Sequence, residues 1–116
     1  MQVIKEPQFW KVIVEEQDNN LGVHNTVRFL EKINQEITDN EIEDLIVEVD
    51  LANLNSANSE LIAQFVMIQT SIVTYNGRLR IVNANRELKS SFDVVMLDKI
   101  INIQYLGYDE DDDSEE

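Results

Sequence analysis

The side chains best suited to binding or modification in this sequence are serines and asparagines that lie between two apolar segments. Ser56, Asn58 and Ser59 follow the apolar run Leu45–Leu51 and precede apolar residues at helical spacing from Leu61 onward. A polar residue at such a junction can accept hydrogen bonds from the first turn of the helix as an N-cap. A hydroxyl there can instead carry a phosphate, because the unpaired N–H groups and the dipole of a helix start attract anions. The pattern therefore leaves two interpretations open, a helix cap and a phosphorylation site.

Side chains suited to catalysis are scarce. The sequence has no cysteine and a single histidine, His24, and it lacks the Gly-x-x-x-x-Gly-Lys-[Ser/Thr] loop that cradles nucleotide phosphates. A catalytic triad and a Cys/His metal site both need side chains that are missing here. Neighbouring carboxylates occur at Asp109–Asp113, where a flexible tail would give acid–base groups no fixed geometry. We therefore expect no enzymatic activity, no cofactor and no bound metal ion.

The charge is concentrated at the carboxyl terminus. The net charge is −14, and seven of the last eight residues are acidic, so the rest of the chain carries the other −7. This predicts a single domain over residues 1–107 and a disordered acidic tail over residues 108–116. An acidic body argues against nucleic acid as a partner, because binding phosphates needs clustered Lys and Arg. No apolar run is long enough for membrane insertion and the start lacks a signal-peptide pattern, so a cytoplasmic protein is expected.

Hydrophobic periodicity predicts strands that alternate with helices. The predicted strands are Gln2–Ile4 and Phe9–Val14 as a hairpin around Lys5–Gln8, Leu45–Leu51 buried on both faces, Arg78–Val82, and a last one through Ile101, Ile103 and Tyr105. The predicted helices run from Thr26 to about Asn40 with Asn25 as N-cap, from the Ser59 region to about Tyr75, and from Asn83–Asn85 onward with Leu88, Phe92 and Val95 on one face. Crossovers of this length favour parallel strands. We expect an α/β fold, a small mixed sheet of four to five strands with helices packed on it.

Three segments, in this order, resemble the STAS family, the sulfate-transporter and anti-sigma-factor-antagonist domain. Asp50-Leu51 followed by Asn58-Ser59 is similar to the family's Asp-Leu-Ser and Asp-Ser-Ser-Gly pattern, although Asn58 stands in place of an Asp. The stretch 76–79, Asn-Gly-Arg-Leu, is similar to its Gly-Gly-x-Leu, and the stretch 87–100 is similar to its segment with a Phe and then Leu-Asp-Lys-Ile. The resemblance spans roughly residues 9–105. It implies a STAS-like fold, here with the family's C-terminal helix missing because the chain turns acidic instead.

The resemblance also implies a function, which is binding governed by a phosphorylation switch. In the anti-sigma factor antagonists of the family, the unphosphorylated domain binds a partner that is both a serine kinase-like ATPase and an anti-sigma factor. Phosphorylation of the Ser that starts the second helix breaks that complex. Ser59 matches that position, with Ser56 as the fallback, while Glu60 and Leu61 replace the family's second Ser and Gly. The expected partner-binding residues are Asn55, Ser56, Asn58, Ser59, Glu60 and Gln64.

Two other roles stay open at this point. A STAS domain can be a non-switching subunit of a lipid-transport ABC complex, where it would brace an ATPase subunit without responding to phosphate. It can also be a scaffold subunit of a large signalling assembly. The ABC-subunit alternative predicts that a negative charge at Ser59 has little effect on binding.

Overall fold

A five-stranded sheet carries the fold in this computed structural model, which describes residues 1–15 and 23–107. The predicted acidic tail, residues 108–116, therefore lies outside the described residues, as does the predicted absence of a helix after the last strand. The strands are β1 (Gln2–Glu6), β2 (Phe9–Ile13), β3 (Ile46–Asp50), β4 (Arg78–Ala84) and β5 (Asn102–Tyr105), and they lie side by side in chain order. β1 is antiparallel to β2, and the other pairs are parallel. The predicted small mixed α/β sheet is confirmed.

The hairpin at the start of the chain is tighter than predicted. Pairing continues to Glu6 opposite Phe9, so the turn consists of Pro7 and Gln8 alone. Proline suits such a position because its ring holds φ near the value that the first corner of a turn requires.

Three helices connect the parallel strands. They are α1 (Val23–Asn40), α2 (Ser59–Thr74) and α3 (Arg86–Val94), and a short 3₁₀ turn follows at Leu97–Lys99. α1 begins before Asn25, so the prediction that Asn25 is its N-cap is wrong. The apolar repeat that guided the prediction starts only at Val27, so it could not mark the helical residues that precede it. None of the helices within the described ranges has the length and apolarity needed to cross a bilayer.

The core lies between the helices and one face of the sheet. Val47 and Val49 of β3 are fully buried there, whereas Ile46, Glu48 and Asp50 on its other face are only half-buried. The prediction that this strand is buried on both faces is therefore wrong. Its near-continuous apolar run suggested two covered faces, but the described helices pack on one of them alone.

The chain after α3 also departs from the prediction. Val95 was expected on the buried face of the helix, but it is the C-cap residue and is 48% exposed. Met96 adopts a left-handed backbone conformation with φ 56°, which redirects the chain. Leu97, in the 3₁₀ turn, is buried instead.

The second face of the sheet carries a ladder of charged side chains. Lys11, Glu48 and Arg80 are aligned across β2, β3 and β4. Glu48 is 13% exposed, and its two carboxylate oxygens lie 2.8 Å from Lys11 Nζ and 2.9 Å from Arg80 Nη2. The hydrogen bond from Lys11 lowers the pKa of Glu48 below its ordinary 4.5, and the hydrogen bonds from Arg80 act in the same direction. The same Lys11–Glu48 hydrogen bond raises the pKa of Lys11.

Glu48→Gln is expected to lower the free energy of unfolding by about 1–2 kcal/mol near neutral pH, because two cations would then face each other without a carboxylate between them. Folding lowers the pKa of Glu48, so its stabilisation is present above pH 4.5 and is lost as the pH falls through the lower folded-state pKa. Urea denaturation at about pH 7 and about pH 3 measures this, and the difference from wild type should shrink in acid. The exposed Glu43→Gln is the matched control, and a loss that does not depend on pH would contradict the expectation.

Candidate functional site

The loop between β3 and α2 leaves the sheet at the edge where the parallel strands end. Strand-like pairing continues into its first residue, since the Leu51 N–H donates to the Val82 carbonyl at 3.0 Å. On the other side, the Val14 N–H donates to the Asp50 carbonyl at 3.1 Å. The loop therefore begins from a position that two neighbouring strands hold.

The loop itself is pinned by burial and by side-chain hydrogen bonds. Leu54 is 1% exposed, and its N–H closes a turn onto the Leu51 carbonyl at 3.0 Å. The Asn85 side-chain amide donates to the Leu54 carbonyl at 3.1 Å, and the Asn53 amide donates to the Val14 carbonyl at 3.3 Å. These contacts tie the loop to the residue that follows β2 and to the start of α3, so the loop presents its exposed side chains from a well-anchored backbone.

Asp50, the first residue of the family-like motif, has a structural role in this geometry. Its Oδ1 accepts hydrogen bonds from the Ala52 N–H at 2.9 Å and from the Asn83 side-chain amide at 3.1 Å. A carboxylate that accepts a backbone N–H two residues further on stabilises a turn. Asp50 thus shapes the first bend of the loop.

Asn58 is the N-cap of α2. Its backbone is extended, with φ −111° and ψ 178°, and its Oδ1 accepts the Leu61 N–H at 2.9 Å. The Asn58 carbonyl accepts the Ile62 N–H at 3.1 Å. The capping function that the sequence left open among three residues therefore belongs to Asn58, which leaves the neighbouring hydroxyl free of that function.

Ser59 is the first residue of α2 and is exposed. Within the part of the chain that the structure describes, its hydroxyl makes no hydrogen bond, and the N–H groups of Ser59 and Glu60 have no acceptor. A phosphate on Ser59 would lie beside these two N–H groups at the positive end of the helix, where an anion is favoured. Glu60 already supplies one negative charge to this turn. That charge would repel a phosphate, whereas the exposure of Ser59 leaves space for one at the start of α2.

The other predicted site residues divide into exposed and buried. Asn55, Ser56, Asn58 and Glu60 are exposed together with Ser59, and Ser56 lies in the loop before the helix begins. Gln64, which the sequence placed on this surface, is 7% exposed. Its amide faces α1, where it lies 3.5 Å from a Glu31 carboxylate oxygen. Its side chain is thus packed between two helices rather than presented to a partner.

Asn85 is the residue of this site that sequence reasoning did not assign to it. The Asn-Ala-Asn pattern correctly indicated a helix start, and Asn85 Oδ1 caps α3 by accepting the Leu88 N–H at 2.8 Å. The second hydrogen bond of Asn85, to the Leu54 carbonyl, joins residues 31 positions apart. No local pattern signals such a contact.

Tyr105 borders the same edge of the sheet from β5, where it pairs with Ala84. Burial, together with the nearby charges of Asp93 and Asp98, raises the pKa of Tyr105 to about 12. The phenol is therefore neutral at physiological pH. In the described ranges, no group of three His, Asp or Glu residues is arranged to hold a metal ion.

No protein-family model and no curated protein matches this chain. Solved structures do match it. A crystal structure of a Thermotoga maritima protein, provisionally assigned as an anti-sigma factor antagonist, has a TM-score of 0.62 and 15% identity, and the match covers 89% of this chain and 84% of that one. The NMR structure of the same protein has a TM-score of 0.70 and 17% identity, with coverage of 90% and 79%. A chain of the stressosome, described as a signal integration and transduction hub, has a TM-score of 0.63 and 15% identity, with coverage of 91% and 89%.

This chain has the STAS fold. The resemblance predicted from the three sequence segments is thus confirmed at the level of architecture. Of the residues that carried it, Phe92 and Leu97 belong to the core of the STAS fold, and Asp50 shapes the loop before α2. At 15–17% identity the similarity describes the fold, so the function of this STAS fold is argued from the loop and the first turn of α2.

Proposed function

We propose that this chain is an anti-sigma factor antagonist-like regulatory protein that binds a protein partner through the docking surface formed by Asn55, Ser56, Asn58, Ser59 and Glu60. In this proposal residues 1–107 act as one STAS-like domain. The observation that carries the proposal is the exposed Ser59 hydroxyl, which lies in the first turn of α2 while Asn58 caps the helix. The partner is a serine kinase-like ATPase that also acts as an anti-sigma factor. The similarity to a protein provisionally assigned as an anti-sigma factor antagonist supports this class of partner.

The switch in this proposal is phosphorylation of Ser59. A phosphate adds about −1.5 to −2 charges at neutral pH. In a docked interface that charge is desolvated or meets like charge, and both are costly. In the free protein it faces water and the positive end of α2, so it does not disturb the fold. The same group is therefore compatible with folding and incompatible with the complex.

Ser59→Asp is expected to weaken partner binding at least about a hundredfold, which corresponds to about 2.7 kcal/mol. The stability of the free domain should be unchanged or slightly higher, because an aspartate in the first turn favours the helix. The partner is first retained from a lysate of the source cell on immobilised wild-type chain, identified, purified and then titrated with each variant. Incubation of the captured kinase with ATP and wild-type chain should place phosphate on Ser59, as read by mass spectrometry.

Two controls make this test specific. Ser90→Asp adds the same charge at an exposed serine of α3 and should bind like wild type. Ser59→Ala should bind like wild type and accept no phosphate at that position. Equal binding by Ser59→Asp and Ser90→Asp would contradict the switch, as would phosphate found only on Ser56.

A second candidate function is a scaffold subunit of a signalling assembly, which would bind without switching. The similarity to a stressosome chain over 91% of this chain favours this candidate. It predicts that Ser59→Asp and wild type bind alike and that both appear in a complex much larger than the binary one. Size-exclusion chromatography of the captured complex with light scattering distinguishes the two functions.

A further inference from the structure

A cleft opens where β4 and β5 begin, at the end of the strands opposite to the docking surface. Their pairing begins at Arg80 and Asn102, so the residues of β4 before Arg80 have no strand beside them on that side. Gln69 of α2 bridges the gap from the core side. Its side-chain oxygen accepts the Leu79 N–H at 3.2 Å, and its nitrogen donates to the Ile100 carbonyl at 3.0 Å. The side chain thus closes the floor and leaves a cleft of about 480 Å³.

The lining of this cleft is rich in hydrogen-bond donors. It includes the guanidinium groups of Arg78 and Arg80 and the side-chain amides of Asn102 and Gln104. The cleft is half open to solvent and mostly polar in its lining, so it suits a small polar ligand rather than an apolar one. Polar donors converging in a space of this size indicate a ligand that accepts hydrogen bonds.

The two arginines differ in how much of their binding capacity is already used. Arg80 donates through Nε at 3.1 Å and Nη2 at 2.9 Å to one oxygen of Glu48, and its guanidinium lies 5.9 Å from the centre of the Phe9 ring. These contacts hold it in place. Arg78 is exposed, and no carboxylate in residues 1–15 or 23–107 pairs with it. Arg78 therefore offers its full set of donors to a ligand, beside an arginine whose orientation is fixed.

We propose that this cleft binds a small molecule bearing a phosphate or carboxylate group, with its oxyanion on Arg78. The planar guanidinium presents paired N–H groups that match the spacing of two oxyanion oxygens. Arg80, held by Glu48, lines the cleft beside Arg78, and the amides of Asn102 and Gln104 bind the polar body of the ligand. The cleft lies at the edge where the strands begin, whereas the proposed docking surface lies where they end. Its test is therefore independent of the proposed function.

The test is a titration of the full ¹⁵N-labelled chain with inorganic phosphate, pyrophosphate and succinate at constant ionic strength, with sodium chloride as the reference. Saturable shifts are expected for the side-chain amide signals of Gln69, Asn102 and Gln104 and for Arg78 Nε. Arg78→Gln should weaken the binding by about tenfold, because it removes charged hydrogen bonds to the anion. Arg28→Gln, at an exposed cation of α1, should leave it unchanged.

The relative affinities of the three anions show whether the ligand of the cleft carries a phosphate or a carboxylate. Tighter binding of the phosphates than of succinate identifies a phosphorylated ligand, and the reverse order identifies a carboxylate ligand. Shifts that grow linearly and equal those caused by chloride would overturn the proposal. It would also be overturned if Arg78→Gln and Arg28→Gln titrated alike while both variants kept the wild-type pattern of backbone signals.

Discussion

Phe92→Ala is expected to lower the free energy of unfolding by about 3–5 kcal/mol, the largest effect we expect from a side-chain truncation in this protein. Phe92 is 0% exposed and meets Phe65 of α2 edge to face, with ring centres 6.3 Å apart and planes at 86°. Truncation removes the buried ring area and this aromatic contact, and it leaves a cavity in the core.

The effect of this truncation should extend beyond the cavity, because few buried side chains hold α3 against the core. Only Leu88 and Phe92 of this nine-residue helix are buried. A helix this short is not stable alone, so its order depends on those two contacts. Asn85, at the start of α3, donates to the Leu54 carbonyl in the loop between β3 and α2. We therefore expect faster hydrogen exchange at the Leu54 N–H in Phe92→Ala, in addition to the lower stability.

Urea denaturation measures the stability change, and amide exchange by NMR measures the loosening of the loop. Val94→Ala is the matched control on the same helix, since Val94 is 82% exposed, and it should change stability by less than about 0.5 kcal/mol. A loss below about 1 kcal/mol for Phe92→Ala would show that α3 is not held by this contact.

Gly77→Ala is expected to lower the free energy of unfolding by about 2–4 kcal/mol, although it adds a single methyl group. A Cβ at Gly77 would collide with the Leu45 carbonyl oxygen and come within 2.8 Å of Ile72 Cγ1. Neither neighbour can move easily. The Leu45 carbonyl accepts the Arg78 N–H at 2.9 Å, and Ile72 is fully buried. The methyl group would therefore force apart the end of α2 and the start of β3.

Gly107→Ala is the control for this variant, because a Cβ at Gly107 meets nothing within 4 Å. Gly107 has φ +74°, so alanine there should cost about 1 kcal/mol from backbone strain alone. Urea denaturation of both variants gives the comparison. If the two losses were equal, the close approach to Leu45 would not be what requires glycine at position 77.

The turn that contains Gly77 illustrates how far local sequence patterns reach. Asn-Gly after an apolar helix predicts a residue with positive φ, and Asn76 has φ 65°. The reason for the glycine itself is different, since it makes room for the Leu45 carbonyl from a segment about 30 residues earlier. A local sequence pattern can identify the turn, but it cannot identify a residue distant in the chain that a side chain would clash with.

The docking surface also combines features that the sequence predicts with features that it does not. The polar residues before α2 predicted a helix start with a cap and a hydroxyl, and both are present. Which residue caps was not determined by composition, because Asn58, Ser59 and Ser56 all have suitable side chains. The structure assigns the cap to Asn58. The sequence also could not show that Gln64 is buried while its neighbours are exposed, because this burial depends on how α2 packs on α1.

Periodicity and β-branched runs by themselves determined the order of strands and helices, the mixed sheet and the helix start that places Ser59. These follow from the sequence because they depend on side chains a few positions apart. Only the tertiary structure decided that β3 is covered on one face, that Glu48 pairs with Lys11 and Arg80, and that Arg78 faces a cleft. Those properties depend on which segments meet across the sheet, and the free energy that selects such contacts comes from the packing of the whole core.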